Sequence, residues 1–373
     1  MKVRSLPEFI TGLRLSELFY REAISPILES NFPKVRHSAG LLGPGSEVLG
    51  LDTIRSTDHH WGPRLQIFLS GDDYRTQARP IDEALSKRLP QRFHGYSTSF
   101  GPPDRKGVRL MKNAGSGPVS DLVEISTIES FFESYLGVDP NNELKVIDWL
   151  TIPEQRLLSV TTGRVFHDGL GLNHVQQKFA YYPRDVWLYL LAAQWTSIAE
   201  EEAFIGRTGE VGDELGSRII AARLVRALMK LCFLMARQYA PYSKWFGTSF
   251  AQLTCSKRLV PVFENVLGTE SWHEREKYLS KAYSHVARMH NALRITRPLD
   301  THVSPFYHRP YKVIHSEQFA SEIRKAIRDE DVRKIRVSIG SVDQFVDSTD
   351  IMTEPRLYRR LGTLFDDVPM RKG

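Results

Sequence analysis

The sequence predicts an α+β protein in which a mixed sheet with helices comes first and an all-α helical bundle follows. Residues 1–145 contain a glycine-rich stretch, loops and strand-like runs, whereas the pattern from Asp148 to about Leu293 is nearly all helical. The length of 373 residues is enough for two or three domains of roughly 150 residues each. We therefore predict an α/β domain over 1–145, a helical domain over 146–295, and a C-terminal extension over 296–373 that packs on the helical domain.

The N-terminal part alternates short apolar runs with turn-forming residues. Apolar residues recur at helical spacing in residues 13–30, where Pro26 predicts a break. The runs at 64–69 and 121–127 have the apolar character of strands. The other elements predicted here are a short helix and loop over 78–94, a Gly/Pro/Ser-rich loop over 101–120, and a helix over 128–136.

The second half is predicted to be almost entirely helical. The helical segments are 153–160, 183–205, 213–239, 243–253, 272–293 and 317–330. We expect the aromatic residues between Tyr181 and Trp195 to lie in the core. Asp213 is expected to cap a helix N-terminus, with a catalytic base as the less favoured alternative, and His290 to be a buried core histidine.

Composition and charge exclude several classes of protein. Hydrophobic residues make up 41% and charged residues 25%, which is typical of a globular chain and not of a disordered one. The most apolar stretches, Val186–Trp195 and Leu228–Ala236, are far shorter than the ~20 residues of a membrane span, and the N-terminus lacks the apolar core of a secretory signal. The formal charge of +6 fits a small anionic ligand such as a nucleotide, and the interspersed charges do not favour a nucleic acid.

The two cysteines point to a reducing compartment. Cys232 lies in an apolar helix pattern and Cys255 in a short loop-like stretch. Neither has a partner at metal-ligand spacing, and the pattern is not that of a disulfide framework. We expect a cytoplasmic protein.

The segment from Gly45 to Phe68 carries the pattern of a phosphate- and metal-binding site. Gly45-Ser46 follows an apolar run, and a Gly-Ser turn lets backbone N–H groups approach a phosphate closely. A short helix after the turn would direct its N-terminal dipole at the same anion. Asp58, ahead of the next strand, could hold a divalent cation against the phosphates. Nucleotidyl transfer needs this arrangement, although a Gly-Ser turn alone is more often structural.

Gly45-Ser46 and Asp58 resemble the motif of the polymerase-beta-like nucleotidyltransferase superfamily, in which Gly-Ser precedes Asp-x-Asp on a strand and a later strand supplies a third carboxylate. More closely, the chain resembles over roughly residues 5–350 a family of nucleotidyltransferase-like proteins described only as a domain of unknown function. The runs that carry this resemblance are DTIRSTDHHWGPRLQIFL and, further on, YPRDVWLYLLAAQW, VGDELGSRIIAARLVR and PYSKWFGT. The resemblance implies a nucleotidyltransferase-like fold followed by a helical domain.

His60 departs from the superfamily pattern because it stands where the second Asp is expected. On a strand, Asp58 and His60 would point to the same face. If His60 is a metal ligand, the site binds Mg²⁺ more weakly, holds a softer metal such as Mn²⁺, or has lost catalysis. The alternative is that His60 is only a polar residue at the end of the strand. Glu124, an acid within an apolar strand, is the candidate third carboxylate, with an arginine ion pair as the alternative. Asp58-His59-His60 also spells a motif of some metal phosphoesterases, but the further Asp and His clusters of those enzymes are not found.

Basic residues are further candidates for nucleotide binding beside Gly45 and Ser46. Arg64 either contacts a phosphate or forms a core ion pair. Arg218 belongs to a basic stripe on a predicted helix, which either neutralises a triphosphate or is a solvated polar face. The resemblance implies a lysine near the phosphates from the helical domain, and Lys244 is the best match, with a structural helix start as the alternative. The other members of the basic stripe are Arg223, Arg226 and Lys230.

These residues predict an enzyme that transfers a nucleoside monophosphate, with AMP as first choice, from an NTP such as ATP to an acceptor hydroxyl. Asp58 and Glu124 are the predicted catalytic residues, and together with His60 they would hold Mg²⁺ or Mn²⁺. The alternative is a catalytically weak nucleotide-binding sensor or regulatory module. The expected partners are a nucleotide and an acceptor that is a small molecule or a protein, with neither a membrane nor a nucleic acid involved.

Overall fold

A four-stranded mixed sheet forms the centre of the N-terminal part of the chain. The computed structural model describes residues 8–365 except 59, 106 and 114, and the side chain of Asp58 also lies outside the described part. The strands are β1 (His37–Leu41), β2 (Arg64–Leu69), β3 (Arg92–Phe93), β4 (Tyr96–Ser97), β5 (Leu122–Ser126), β6 (Arg164–Asp168), β7 (Ser304–Phe306) and β8 (Arg309–Val313). The order in the large sheet is β5–β2–β1–β6.

Strand β2 is the buried centre of this sheet. It pairs antiparallel with β1 and parallel with β5, while β1 also pairs antiparallel with β6. All six residues of β2 are buried. Leu65 and Ile67 belong to the core on one face, and Phe68 packs edge-on against Phe131 with ring centroids 5.5 Å apart. Burial of both faces explains why the run RLQIFL is nearly continuously apolar.

Helices cover the sheet and make up most of the remaining chain. They are α1 (Gly12–Phe19), α2 (Ser25–Asn31), α3 (Gly71–Arg88), α4 (Ile128–Leu136), α5 (Val146–Thr151), α6 (Glu154–Thr161), α7 (Leu172–Lys178), α8 (Arg184–Glu201), α9 (Phe204–Glu210), α10 (Glu214–Ala236), α11 (Ser243–Phe250), α12 (Ser256–Gly268), α13 (Trp272–Ala292), α14 (Ser316–Lys325), α15 (Glu330–Lys334), α16 (Val342–Phe345), α17 (Thr349–Thr353) and α18 (Pro355–Tyr358). A π-type turn spans Tyr20–Ile24, and short 3-10 helices span Ile54–Asp58 and Arg359–Phe365. The α+β prediction is confirmed. None of the helices in the described chain has both the length and the apolar character that a membrane crossing needs.

Local sequence explains several helix ends. Pro26 lies in the first turn of α2, directly after the π-type turn, so the predicted break is confirmed. The Ser70 side chain accepts a hydrogen bond from the Asp73 N–H at the start of α3. Thr127 caps the N-terminus of α4, and Gly137, with a left-handed φ of +71°, caps its C-terminus.

The bounds and types of several elements differ from the sequence predictions. The helix expected from residue 78 begins at Gly71, because Ser70 caps a first turn that is polar and exposed. The helix Ser256–Gly268 lies outside the predicted helical segments and contains Pro261. The nearly all-helical interpretation after Asp148 is wrong at β6, whose residues complete the sheet.

The chain divides into two compact units that are discontinuous in sequence. The first contains Met1–Glu143 and Arg156–Ala180, and the second contains Leu144–Gln155 and Tyr181–Gly373. The predicted boundary near residue 145 lies close to the first crossing. Because β6 and α7 belong to the first unit, the chain crosses back once before the helical part continues.

The second unit is built on long buried helices. On α8, Trp187 and Trp195 are at most 2% exposed, and the Trp195 ring stacks on Phe319 of α14 at 4.4 Å. Asp213 caps α10 by accepting a hydrogen bond from the Gly216 N–H, as predicted. His290 is fully buried, as predicted.

Candidate active site

The turn after β1 carries Gly45-Ser46. Gly45 and Gly50 have φ angles of +142° and +67°, which favour glycine. The Leu51 N–H donates to the Ser46 carbonyl over 2.9 Å, and the Gly50 N–H donates to the Glu47 carbonyl over 3.0 Å. The chain therefore forms a hydrogen-bonded turn that the left-handed Gly50 ends. The helical element that follows this turn is the short 3-10 helix Ile54–Asp58, and an α-helix does not begin directly after Ser46.

A buried ion pair holds this turn against the sheet. Arg64, the first residue of β2, donates from Nε to Glu47 Oε1 over 2.8 Å, and its Nη2 lies 2.6 Å from the same oxygen. Arg64 Nη2 also donates to the Pro44 carbonyl. A Cβ at Gly45 would collide with both side chains of the pair. Of the two interpretations of Arg64, the core ion pair is the one that the structure has, and it leaves the guanidinium in the interior.

Gln66, at the next position on this face of β2, bonds to Leu42, which directly follows β1 and precedes that turn. Its Oε1 accepts from the Leu42 N–H over 3.0 Å, and its Nε2 donates to the Leu42 carbonyl over 3.1 Å. Glu124 of β5 lies in register with Gln66 on the parallel strand, so both side chains are on one face. Glu124 is exposed. Arg64 and Gln66, which contact the segment after β1, and the Glu124 carboxylate are therefore on the same face of the sheet, on the adjacent strands β2 and β5.

Asp58 and His60 lie ahead of β2 and not on it. Asp58 is the last residue of the 3-10 helix, and His60 has a left-handed φ of +47°. The His60 N–H donates to the Arg109 carbonyl over 3.0 Å. Pro63 has no N–H to donate to a ladder, and the strand begins only after it. The expectation that Asp58 and His60 share a strand face is wrong; the Asp58 side chain and all of His59 are outside the described part.

Arg109 ties His60 to the start of β5. Its guanidinium donates to the carbonyls of Gly101 (2.8 Å), Asp121 (2.7 Å) and Ser120 (3.0 Å). The Arg109 backbone N–H also lies 3.5 Å from His60 Nδ1. A loop that the sequence predicts only as a surface segment thus links His60 to the strand that carries Glu124.

Several residues that shape the site were not found from the sequence. They are Glu47, Asp52, Gln66 and Arg109. Asp52 Oδ2 accepts from the Gly12 N–H over 2.7 Å and from Trp61 Nε1 over 3.0 Å. A glutamine in the middle of the apolar run RLQIFL was the signal available for Gln66, because a buried amide needs partners.

Asp121, directly before β5, is a further titratable group at this end of the strand. Its Oδ1 accepts a hydrogen bond from the Val123 N–H over 3.0 Å. Burial is the main cause that raises the pKa of Asp121 to about 6, against the lowering effect of that hydrogen bond. Val123 packs against the hydrophobic core, on the face opposite to Glu124.

The donor set for a divalent cation is only partly described. Among the described residues, no group of three or more His, Cys, Asp or Glu side chains is arranged to hold a metal ion. Glu124 has no hydrogen bond or ion pair with another described residue, and an exposed carboxylate is a ligand that Mg²⁺ accepts. The set of Asp58, His60 and Glu124 stays a prediction, since the Asp58 side chain is not described.

The predicted phosphate-binding residues of the second unit are exposed. Arg218 Nη2 lies 3.5 Å from the Glu270 carbonyl, and Lys244 Nζ lies 4.9 Å from the Trp245 ring centroid. The rest of the basic stripe is occupied by internal partners. Those pairs are Arg223 with Glu201, Arg226 with Asp347, and Lys230 with the Asp343 carbonyl.

Comparison with known proteins gives a family match over part of the chain. No curated protein matches the chain significantly. A solved structure of a nucleotidyltransferase-like protein from Exiguobacterium sibiricum 255-15 aligns with 10% identity over 85% of this chain and 91% of that chain, with a TM-score of 0.29. A similarity of this size carries no argument about function. Residues 149–246 match the family model described as a domain of unknown function (DUF4037).

Proposed function

We propose that this chain is a metal-dependent nucleotidyltransferase that transfers a nucleoside monophosphate, with AMP as first choice, from an NTP to an acceptor hydroxyl. The observation that carries the proposal is the shared face of the sheet. Arg64 on this face of β2 bonds to Glu47 and to the Pro44 carbonyl, which lie on either side of Gly45-Ser46. The exposed Glu124 carboxylate lies on the neighbouring parallel strand β5, in register with Gln66. This arrangement supports a site in which backbone groups face phosphates beside an acidic ligand.

Each group has a defined task in this reaction. The acceptor hydroxyl oxygen attacks the α-phosphorus, the bond to the bridging oxygen breaks, pyrophosphate leaves, and the hydroxyl proton passes to a carboxylate of the site. Asp58 and Glu124, with His60, would hold Mg²⁺ or Mn²⁺, which neutralises phosphate charge. The turn positions the phosphates, and Arg218 and Lys244 stay predicted contacts of a nucleotide. Catalysis rests on positioning and charge neutralisation.

Two observations favour a nucleotide-binding sensor as the second candidate. The Arg64 guanidinium is paired with Glu47 in the interior, so it is not available to contact a phosphate. His60 stands where a carboxylate is expected and lies in a bend whose backbone is bonded to Arg109. The first feature leaves one fewer cationic group to contact the phosphates. The second leaves one fewer carboxylate to bind the cation.

Nucleotide binding is tested by thermal unfolding with ATP and either Mg²⁺ or Mn²⁺. Ligand that binds only the folded chain raises its melting temperature. Asp58→Asn and Glu124→Gln are expected to abolish the metal-dependent part of the shift, whereas Glu133→Gln, an exposed acid on α4, keeps it. If no NTP shifts the melting curve with either metal, both the enzyme and the sensor are wrong.

Pyrophosphate release separates the two candidates in the same samples. An enzyme releases pyrophosphate from ATP when supplied with hydroxyl acceptors, with Mn²⁺ preferred because His60 adds a nitrogen donor. His60→Asp adds a carboxylate and is expected to move that preference towards Mg²⁺. Turnover by the wild-type chain contradicts the sensor hypothesis. If the wild type binds ATP without turnover while the His60→Asp variant releases pyrophosphate, the enzyme hypothesis is contradicted.

A further inference from the structure

The two cysteines of the chain are neighbours in the second unit. Cys232 is fully buried in α10, and Cys255 is half-buried at the N-cap of α12. The packing of α10 against α12 brings the two thiols into a side-chain hydrogen bond. The sequence separates them by more than twenty residues and contains no other cysteine, so their contact is a product of the fold.

The two thiols are chemically unequal. The hydrogen bond between the two thiols is the largest cause that raises the pKa of Cys232 well above its usual value, and burial adds to it. The same bond lowers the pKa of Cys255, against the effect of burial. Cys255 also lies at the N-terminus of a 13-residue helix, where the dipole favours a thiolate. Cys255 is therefore the nucleophile of the pair and Cys232 the thiol that stays protonated.

Cys255 is reachable from solvent through an open cavity of about 430 Å³. Met235, Leu253, Met289 and Leu293 supply most of its apolar lining, and Cys255 lies in its wall. Cys232 is not part of that lining. A small oxidant can thus contact Cys255 while Cys232 remains behind it, within reach of the same sulfur.

We propose that Cys255 and Cys232 form a thiol-oxidation site that takes a hydroperoxide and closes as an intramolecular disulfide. The Cys255 thiolate attacks one peroxide oxygen, the O–O bond breaks, and the leaving oxygen departs as water or an alcohol after protonation, which leaves Cys255 as a sulfenic acid. The Cys232 sulfur then attacks the sulfenic sulfur, the S–S bond forms, and water leaves with the Cys232 proton. Two thiols are oxidised and one peroxide is reduced, so no other reactant is needed.

The test is intact mass spectrometry of the folded full chain after a small excess of hydrogen peroxide. The expected result is a loss of two hydrogens, about 2 Da, that dithiothreitol reverses, with a peptide in which Cys232 and Cys255 are linked. Oxidation of Met235 or Met289 adds an oxygen and is distinguished by its mass. A wild-type chain that keeps both thiols free, or that links them only between molecules, overturns the proposal.

Single substitutions assign the two roles. Cys232→Ser removes the resolving thiol, so dimedone is expected to trap a sulfenic acid on Cys255. Cys255→Ser leaves the buried Cys232, and neither the disulfide nor a dimedone adduct is expected. A dimedone adduct on Cys232 in that variant contradicts the assignment. Because the wild-type linkage needs no variant, the proposal stays testable if the buried Cys232→Ser change impairs folding.

Discussion

Glu47 and Arg64 place opposite charges in the interior of the first unit, where their side chains are 3% and 4% exposed. Taking each charge out of water costs several kcal/mol, and only good geometry offsets that cost. Two contacts from Arg64 to Glu47 and one to the Pro44 carbonyl supply it. The pair is expected to specify the conformation of the glycine turn, and its loss to leave a buried charge without a partner.

Glu47→Gln tests this pair with almost no change in shape. The substitution leaves the Arg64 charge buried without its counter-ion, and we expect a loss of about 3–5 kcal/mol in the free energy of unfolding, measured by urea titration. The matched control is Glu83→Gln, which breaks the exposed Arg79–Glu83 pair on α3 and should cost no more than about 0.5 kcal/mol. Equal effects of the two changes would show that the Glu47–Arg64 pair does not hold the turn.

Arg64 also shows which residue roles a sequence can predict. Its partner Glu47 is 17 positions away, and the sequence left a phosphate contact and an ion pair equally open. Asp213, in contrast, caps α10 through a bond to Gly216 three residues on, so local chemistry was enough to predict it. The prediction that His60 lies on a strand is wrong because its conformation depends on Arg109, 49 residues away.

Among the helices, α10 has the amphipathic character that its sequence predicts, but its polar face is not simply solvated. Its apolar side, with Leu224, Leu228 and Leu231, is buried. Arg226 pairs with Asp347, and Lys230 donates to the Asp343 carbonyl, so the C-terminal segment covers part of the basic stripe. Helical periodicity predicts which face is apolar, whereas the partners of Arg226 and Lys230 come from more than a hundred residues away.

The start of α6 carries one member of a buried acid pair, Glu154 and Asp343. Glu154 donates its N–H to Asp343 Oδ2 over 2.8 Å and accepts from the Ala240 N–H at Oε2 over 2.6 Å. Burial, with the Asp343 charge, raises the pKa of Glu154 to about 8. Burial also raises the pKa of Asp343 to about 6 and lowers the pKa of Lys230.

This acid pair predicts a chain that loses stability as the pH rises. Between pH 4.5, the usual pKa of Glu154, and about 8, the folded state binds more protons than the unfolded state, so the free energy of unfolding falls across that window. We expect urea titrations to give a fall on the order of 2 kcal/mol between about pH 5.5 and 8. Glu154→Gln should flatten this dependence, whereas Glu264→Gln, an exposed acid on α12, should not. A steeper or unchanged slope in Glu154→Gln contradicts the assignment.

Strand β6 is an element that the sequence pattern did not predict. Its residues Arg164–Asp168 alternate poorly and are exposed or half-exposed, as expected of an edge strand. The helical patterns on both sides gave no reason to end a helical domain there. Its place in the sheet is fixed by pairing with β1, more than 120 residues earlier, and such long-range pairing leaves no local signal.

On the scale of the whole molecule, the first unit includes a later segment of the chain, which comes after a short stretch that belongs to the second unit. The segment Arg156–Ala180 supplies the edge strand β6, and Gly163 lies so close to the Leu41 carbonyl that a Cβ would collide with it. The same segment supplies Phe179, which is fully buried and stacks on Phe132 at 5.2 Å. The first unit therefore depends on contacts that a boundary at residue 145 would remove.

A fragment of residues 1–145 is accordingly expected not to fold, and a fragment of residues 1–180 is expected to fold. The shorter fragment leaves the outer edge of β1 unpaired and exposes the Phe132 ring on which Phe179 stacks, so it lacks part of the burial that offsets chain entropy. Urea titration followed by circular dichroism should give a cooperative transition for the longer fragment and none for the shorter one. Equal cooperative transitions in both fragments would show that β6 and α7 are dispensable additions to a domain that ends near residue 145.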